Sequence, residues 1–503
     1  MEFVSGFRYI CGFTILSLPR DHALSTVRVR FAPSPTGYLH VGGLRTALYN
    51  YLFARRNKGV FVLRIEDTDR SRYVEGAVEN LIRTLRWAGL EFDEGPGKEG
   101  GAGPYIQSER IATYRTHVEM LLASGKAYYA FDTPKDLEGM RKKQEKLQVA
   151  VRDYRRAMDM PAEEVQRKLA AGTPAVVRMK MPSGETIAFE DIVRGVVEFS
   201  SDGLDDQVLL KSDGYPTYHL ANVVDDHQMG ITHVIRGEEW LPSTPKHFLL
   251  YRYFGWEPPR FAHLPLLLNP DRSKLSKRQG DVAVEEYRNK GFFPEALVNF
   301  VALLGLNPGD EREIFTLEEL EKEFTLDRVG KSGAVFNADK LNWMNTEHLR
   351  HKPDAELLEL TRPFLAGSGI TDVPDSYMLD VIRLLKERVE RPGEFVTTGI
   401  YFFRDPESYD EQAKKKHWKP ETASRVRQVL SAIGDLASFS PGDIESAVRT
   451  TATALGIGAG TLIHPLRLTV TGVALGPGLF ELMAVLGKET SLRRIEKGLS
   501  ALG

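Results

Sequence analysis

The sequence predicts a multidomain α/β protein: a parallel-sheet domain split by an α+β insertion and followed by an all-α C-terminal part. Three observations carry this reading. A strand–helix–strand unit occupies residues 27–65, strand character returns at Val234-Ile235-Arg236 after a long charged stretch, and helical periodicity dominates from about Phe292. The 503 residues leave room for three to five domains at roughly 100–200 residues each.

Val27 to Ala32 alternates apolar and basic residues, the pattern of a strand with one buried face. Pro33-Ser34-Pro35-Thr36-Gly37 then breaks the strand, because two prolines and a glycine support neither strand nor helix. From Gly42 to about Arg56 the apolar spacing turns helical: Leu44, Leu48, Tyr51 and Leu52 share a face, and Arg55-Arg56 suit the negative C-terminal end. Val60 to Ile65 is almost wholly apolar, as a parallel strand covered on both faces requires. Strand, helix, strand is a βαβ unit and points to a Rossmann-type sheet.

Glu75–Leu90 and Ser108–Ser124 read as helices. Asp136–Ala171 is dense in charge and helix formers, and its clusters Arg141-Lys142-Lys143 and Arg152–Arg156 read as solvated helix faces rather than RNA contacts. Ala175–Met181 and Gly195–Phe199 are short strand-like runs, and Val208-Leu209-Leu210 leads into the turn Asp213-Gly214-Tyr215-Pro216. The sheet domain is therefore interrupted near residues 108–218.

Composition limits the function classes. At 42% hydrophobic and 27% charged residues, disordered, collagenous and disulfide-scaffold proteins are excluded. Lys+Arg total 66 against 69 Asp+Glu, a net charge of −3, so the chain is no polycation that coats nucleic acid, although local basic patches are allowed. Cys11 is the sole cysteine, which precludes an internal disulfide or a multi-cysteine zinc site and fits a reducing compartment. Within Met1–Thr26 the apolar run Tyr9–Leu18 follows Arg8 but is shorter than a membrane span of ~20 residues. Residues 1–25 are expected to be a disordered extension outside the chemistry, with an organellar presequence as the alternative.

Four groups of residues carry chemistry. His40-Val41-Gly42-Gly43 opens the first helix, where glycines let a phosphate approach backbone N–H groups and a histidine can donate to a phosphate oxygen. Ser273-Lys274-Leu275-Ser276-Lys277-Arg278 is a loop whose two lysines can close on a polyphosphate. Arg30, Ser34 and Arg64-Ile65-Glu66-Asp67-Thr68-Asp69 sit at or beyond the carboxyl ends of the first two strands, where open α/β sheets bind ligands. There a carboxylate can hold an amino group and an arginine a carboxylate. Last, Tyr215–Asn222 and Arg236-Gly237-Glu238-Glu239-Trp240 place polar groups in apolar surroundings, where each must find a partner.

In this order the pieces resemble the bacterial-type glutamyl-tRNA synthetase, a class I aminoacyl-tRNA synthetase, over residues 28–345. His40 to Gly43 corresponds to the "HIGH" signature and Lys274 to Arg278 to "KMSKS". The resemblance implies two steps: glutamate's α-carboxylate attacks the α-phosphorus of Mg2+-ATP, and the terminal adenosine of tRNA-Glu then takes the glutamyl group. Carried residue by residue, it implies that Arg30, Ala32, Ser34, Glu66, Tyr218, Asn222 and Arg236 bind glutamate, Arg30 at the side-chain carboxylate and Glu66 at the ammonium. It implies that Ser34, His40, Gly42, Glu239, Leu267, Lys274 and Lys277 bind ATP, with His40, Lys274 and Lys277 catalytic.

The resemblance also implies a domain plan: an extension (1–25), sheet halves (26–108 and 219–270) around a tRNA-acceptor insertion (109–218), a stem-contact domain (271–350), and helical anticodon domains (351–412 and 413–503). A cytoplasmic monomer is expected. Some relatives carry a cysteine-rich zinc motif where Asp93–Tyr105 here has no cysteine, so no structural zinc is expected. Helices after residue 350 set the chain apart from eukaryotic-type and glutaminyl enzymes, which end in β-barrels. By resemblance Arg388 reads the last anticodon base, and the basic run Lys414–Lys419 around Trp418 suits stacking on unpaired bases. Two rival readings are a relaxed enzyme that also glutamylates tRNA-Gln and an inactive tRNA-binding paralogue.

Overall fold

The structure, a computed structural model, describes residues 9–10, 13–14, 26–147, 153–275 and 283–503. Apart from the paired dipeptides Tyr9–Ile10 and Phe13–Thr14, the expected extension 1–25 lies outside the described residues. The chain divides into two compact units, residues 1–290 with 294–338, and 291–293 with 339–503.

In the first unit β1 (Arg28–Phe31), α1 (Val41–Arg56) and β2 (Val60–Leu63) form the expected parallel βαβ unit, Arg28 facing Val60 and Phe31 facing Leu63. α1 buries the expected Leu44, Leu48, Tyr51 and Leu52 but also Arg45, Ala47, Tyr49, Asn50 and Ala54, so it is covered around most of its circumference rather than on one face. The chain continues through α2 (Ala77–Trp87), α3 (Ile111–Ala123), β3 (Ala127–Ala130), α4 (Pro134–Leu147), α5 (Ala162–Ala170), β4 (Val176–Met179), β5 (Thr186–Asp191), β6 (Gly195–Ser200) and β7 (Val208–Leu210). β3, β4 and β7 make a separate antiparallel sheet. α6 (Tyr218–Gln228) then leads to β8 (His233–Gly237), α7 (Thr244–Phe254) and β9 (Arg260–Leu264).

β8 runs parallel to β9, with Arg236 opposite His263. Thr232, just ahead of β8, exchanges two 2.9 Å bonds with the Arg28 backbone, which seats β8 beside β1. Chain progression is thus from β1 to β2 on one side and from β8 to β9 on the other. The line between β1 and β8 is the topological switch point, where open α/β sheets carry a crevice at their carboxyl ends. β5 joins β9 through the Phe261/Asp191 pair, and β6 lies antiparallel to β5. Strands within the expected insertion therefore extend the main sheet, and one core cluster spans both parts, from Val62, Val234 and Phe261 to Val177, Met179 and Leu209.

β10 (Leu267–Leu268) pairs in parallel with β11 (Ala334–Val335), and α8 (Val284–Asn289), α9 (Pro294–Leu303) and α10 (Leu317–Glu323) complete the unit. α11 (Ala338–His351) crosses the unit boundary. The second unit continues with α12 (Asp354–Gly367), α13 (Asp375–Leu385), α14 (Glu394–Thr397), α15 (Glu411–His417), α16 (Thr422–Gly434), α17 (Pro441–Ala454), α18 (Gly460–Thr471), α19 (Leu479–Leu486) and α20 (Lys488–Leu502). Among the described residues no strand follows Val335, and no helix is long and apolar enough to cross a membrane.

Candidate active site

A cleft of about 770 Å3 opens in the first unit and takes in the carboxyl ends of β1 and β8. Arg30, Ala32, Ser34, His40, Gly42, Glu66, Tyr218, Asn222, Arg236, Glu239, Leu267 and Lys274, all singled out from sequence, line it together. Lys277 lies outside the described residues. Arg388 belongs to the second unit, exposed beyond the end of α13.

The amino-acid side of the cleft rests on a buried ionic network. Arg30, 3% exposed, grips Asp226 with Nε (3.0 Å) and Nη2 (3.3 Å); its Nη1 has no protein partner among the described residues. Arg64, fully buried, donates to Asp226 (2.7 Å) and to Glu66 Oε1 (3.1 Å). With its amide turned to suit its neighbours, Asn222 donates to Asp226 and accepts from Arg64 and Arg30, each at 3.2 Å. Behind them Asp225 collects Gln107 (2.8 Å), Arg110 (2.7 Å) and Tyr114 (2.9 Å). Burial opposes ionisation of Asp226, but Arg30 and Arg64 outweigh it and hold its carboxyl below the usual range. At Glu66 burial prevails over Arg64 and Arg30, and its carboxyl is pushed up.

Arg236 is buried differently. Its five N–H groups face five neutral acceptors: His263 Nε2 (3.0 Å), Tyr218 Oη (3.0 Å), His247 Nδ1 (3.3 Å), the Trp240 carbonyl (3.4 Å) and Thr244 Oγ1 (2.8 Å). It is 4% exposed and has no carboxylate partner among the described residues. Burial lowers the His263 pKa to about 4 and holds that of His247 well below the ordinary imidazole value, so both rings stay neutral. The Tyr218 hydroxyl accepts from Arg236, and its own proton has no acceptor among the described residues.

On the other wall, His40 caps α1 by accepting the Gly43 N–H at Nδ1 (3.0 Å), which leaves Nε2 to carry the proton of the neutral ring. A side chain at Gly42 would put its Cβ 3.1 Å from the His40 ring, so glycine there gives the ring its place. Gly37, in the loop before it, takes φ +147°, open to glycine. Lys274 is exposed at the rim, its backbone bridged to Leu268. Of the two glutamates after Gly237, Glu238 is used structurally, binding the Leu266 N–H (2.7 Å) and Arg194 (2.5 Å); Glu239 is left exposed in the cleft.

Two family models match this chain. One, described as the catalytic domain of class I tRNA synthetases (E and Q), covers residues 26–343; the other, described as an anticodon binding domain, covers residues 356–499. The glutamate–tRNA ligase of Chloroherpeton thalassium is 54% identical, over 95% of this chain and 98% of that one. That of Chlorobium phaeovibrioides is 52% identical over 95% of each. The chain belongs to the glutamate–tRNA ligase family of class I tRNA synthetases. Among solved structures, a glutamate tRNA ligase from Elizabethkingia meningosepticum in complex with its amino acid superposes with a TM-score of 0.90. It shares 43% identity over 95% of this chain and all of that one. The enzyme from Elizabethkingia anophelis gives 0.88 at 42% identity.

Several residues of this glutamate–tRNA ligase fold escaped the sequence reading. Asp225 and Asp226 lie in the last turn of α6, both buried, where the signal in the sequence was a pair of acids after the apolar Val223-Val224. Arg45 reaches from α1 to the carbonyls of Leu304 (2.9 Å) and Pro265 and also lines the cleft. Asp191, Thr244, His247 and His263 come together only through sheet register and the packing of α7. In the second unit Trp418 donates to the Gly503 carbonyl (3.0 Å) and packs against the Ala413–Leu468–Leu502 cluster. Of the run Lys414–Lys419, Lys415, Lys416 and Lys419 are exposed, and Trp418 is half-buried against that cluster.

Proposed function

We propose that this chain activates L-glutamate with ATP to glutamyl-adenylate and transfers it to the terminal adenosine of tRNA-Glu. The observation that carries the reading is Arg236, a buried cation facing the cleft with no carboxylate of its own. Buried charges need a partner, and a substrate with a side-chain carboxylate supplies one. Arg30 Nη1 and the Tyr218 hydroxyl are the donors positioned to meet that carboxylate. Glu66, whose Oε2 has no protein partner among the described residues, receives the ammonium, and Ala32, Ser34 and Asn222 frame the pocket.

The substrate's α-carboxylate is then left to attack the α-phosphorus of ATP, and pyrophosphate departs. His40 Nε2–H, the N-terminus of α1 at Gly42, and Lys274 with Lys277 hold the triphosphate and offset the charge that grows on it; Glu239 and Leu267 take the nucleoside side. Positioning and electrostatics carry such a reaction. Mg2+ bound with the ATP would neutralise charge on the triphosphate. A single cysteine in the chain gives no ligand set for the cysteine-rich zinc motif. The 109–218 stretch is proposed to hold the acceptor end of tRNA, and the helices after 350, with Arg388, the anticodon, in a cytoplasmic monomer.

The test is aminoacylation of purified tRNA-Glu and tRNA-Gln with labelled glutamate, repeated with glutamine. Glutamate on tRNA-Glu is expected, and no glutamine on either tRNA. Charging of tRNA-Gln with glutamate as well would make the enzyme a relaxed one, and failure to charge either tRNA would overturn the reading.

A further inference from the structure

Asp191 and His263 lie outside the cleft, yet they determine what the cleft presents. Both are buried, at 1% and 0% exposure. Asp191 ends β5, and its Oδ1 is fixed by the backbone N–H groups of Val193 (3.0 Å) and Arg194 (2.9 Å). Its Oδ2 takes the Nδ1 proton of His263 at 2.6 Å, which commits Nε2 to a lone pair. Parallel pairing of β8 with β9 sets His263 directly beside Arg236, and that lone pair receives Arg236 Nε. A second ring repeats the logic: His247 accepts at Nδ1 from Arg236 and gives its Nε2 proton to His219 Nδ1 (3.1 Å).

We infer that the Asp191–His263 pair positions Arg236 and, through it, turns the Tyr218 hydroxyl proton towards the cleft, so that the site favours a carboxylate over a carboxamide. The inference rests on the assignment of Tyr218 and Arg236 to the substrate's side chain. With Arg236 Nη1 already held on Tyr218 Oη, the hydroxyl proton is the group left to turn into the cleft. Arg30 Nη1 is only a donor. A carboxylate accepts from both; an amide would turn its NH2 group against one of them, and an unmatched polar group in a buried site is strongly rejected. Asp191 and His263 thus contribute to selectivity without touching substrate.

Asp191→Asn is the sharpest variant. It keeps the acceptor for the backbone N–H groups but presents an NH2 group to Nδ1, so the imidazole moves its proton to Nε2, against Arg236. The same wrong-tautomer logic disables a serine-protease triad when its aspartate becomes asparagine. Steady-state aminoacylation of tRNA-Glu, with glutamate and then ATP varied, is expected to give a glutamate KM raised about tenfold or more and an ATP KM within about twofold of the parent. Discrimination against glutamine should fall in parallel. His263→Gln, which keeps an acceptor towards Arg236, should lose less than His263→Leu. Tyr218→Phe is measured alongside. If Tyr218→Phe raises the glutamate KM and Asp191→Asn does not, the positioning role is wrong and the site assignment stands; if Tyr218→Phe changes nothing, the assignment itself fails. Equal rises in both KM values with a lowered melting temperature would mark the pair as structural support only. Should Asp191→Asn not fold, His263→Gln against His263→Leu decides by the same split in KM.

Discussion

Arg30 and Arg236 flank one pocket but are buried by opposite strategies. Arg30 is matched by Asp226, and removing it leaves Asp226 with Arg64 as its one cation among the described residues and one donor fewer in the pocket. Arg30→Ala should therefore raise the glutamate KM by more than tenfold while the ATP KM moves little; equal losses in both would undo the pocket assignment. At the phosphate wall, Lys274→Ala should slow adenylate formation by well over tenfold with tRNA binding preserved, because a cation that acts on developing charge is worth several kcal/mol to the transition state and little to the ground state. Single-turnover kinetics alongside a tRNA binding assay checks it. These residues were legible because each stands in a short run whose chemistry is local: an arginine in a strand, a lysine in a loop. Asp226, His247 and His263 were not, since one acid in a helix or one histidine in a strand has no meaning until sheet register and helix packing choose its neighbours.

At the scale of elements, the N-terminus of α1 is where sequence and structure agree most fully. Glycines after His40 predicted a helix start, and α1 begins at Val41 with His40 as its cap and the ring fitted over Gly42. Gly42→Ala should thus disturb the ring rather than the helix: with the Cβ 3.1 Å from His40, the ring must yield a few tenths of an ångström. The expected result is an ATP KM raised severalfold at nearly unchanged melting temperature, and a variant that instead unfolds early would place the defect in the helix. Strands were harder to read where they are short. β3 is four residues, Ala-Tyr-Tyr-Ala, too few for an alternation to register. β5 alternates properly, burying Ile187, Phe189 and Asp191, but its acidic end reads as surface. That acid is buried because His263 waits for it on the neighbouring strand, a partner 72 positions away.

Over the whole molecule, the two units answer acid through different groups. In the second unit Asp405 binds Arg493 and, at 2.9 Å, Arg494, while Arg494 also ties the carbonyls of Tyr401 (2.6 Å) and Arg404 (2.9 Å). Led by Arg493, these partners lower the Asp405 pKa to about 2. Because the folded value lies below the unfolded one of about 4, this contribution is complete above pH 4 and lost only as the pH falls towards 2. In the first unit the sign is the same and the window higher. Burial, aided by Arg260, lowers the pKa of His233 to about 4; unfolded, it titrates near 6.5. Between those values the unfolded chain binds the extra proton, so stability is lost as the pH falls from 6.5 to 4. His219 and His263, at about 4 for the same reason of burial, add to the loss. His233→Gln removes one of these protons from the balance without entering the cleft. Measured by calorimetry on the full chain, the stability of His233→Gln relative to the parent should rise by about 1–3 kcal/mol between pH 6.5 and pH 4. Asp405→Asn should instead keep a constant deficit across that range and close it only below pH 4. A His233→Gln difference that stays flat with pH would mean the ring is charged in the folded state.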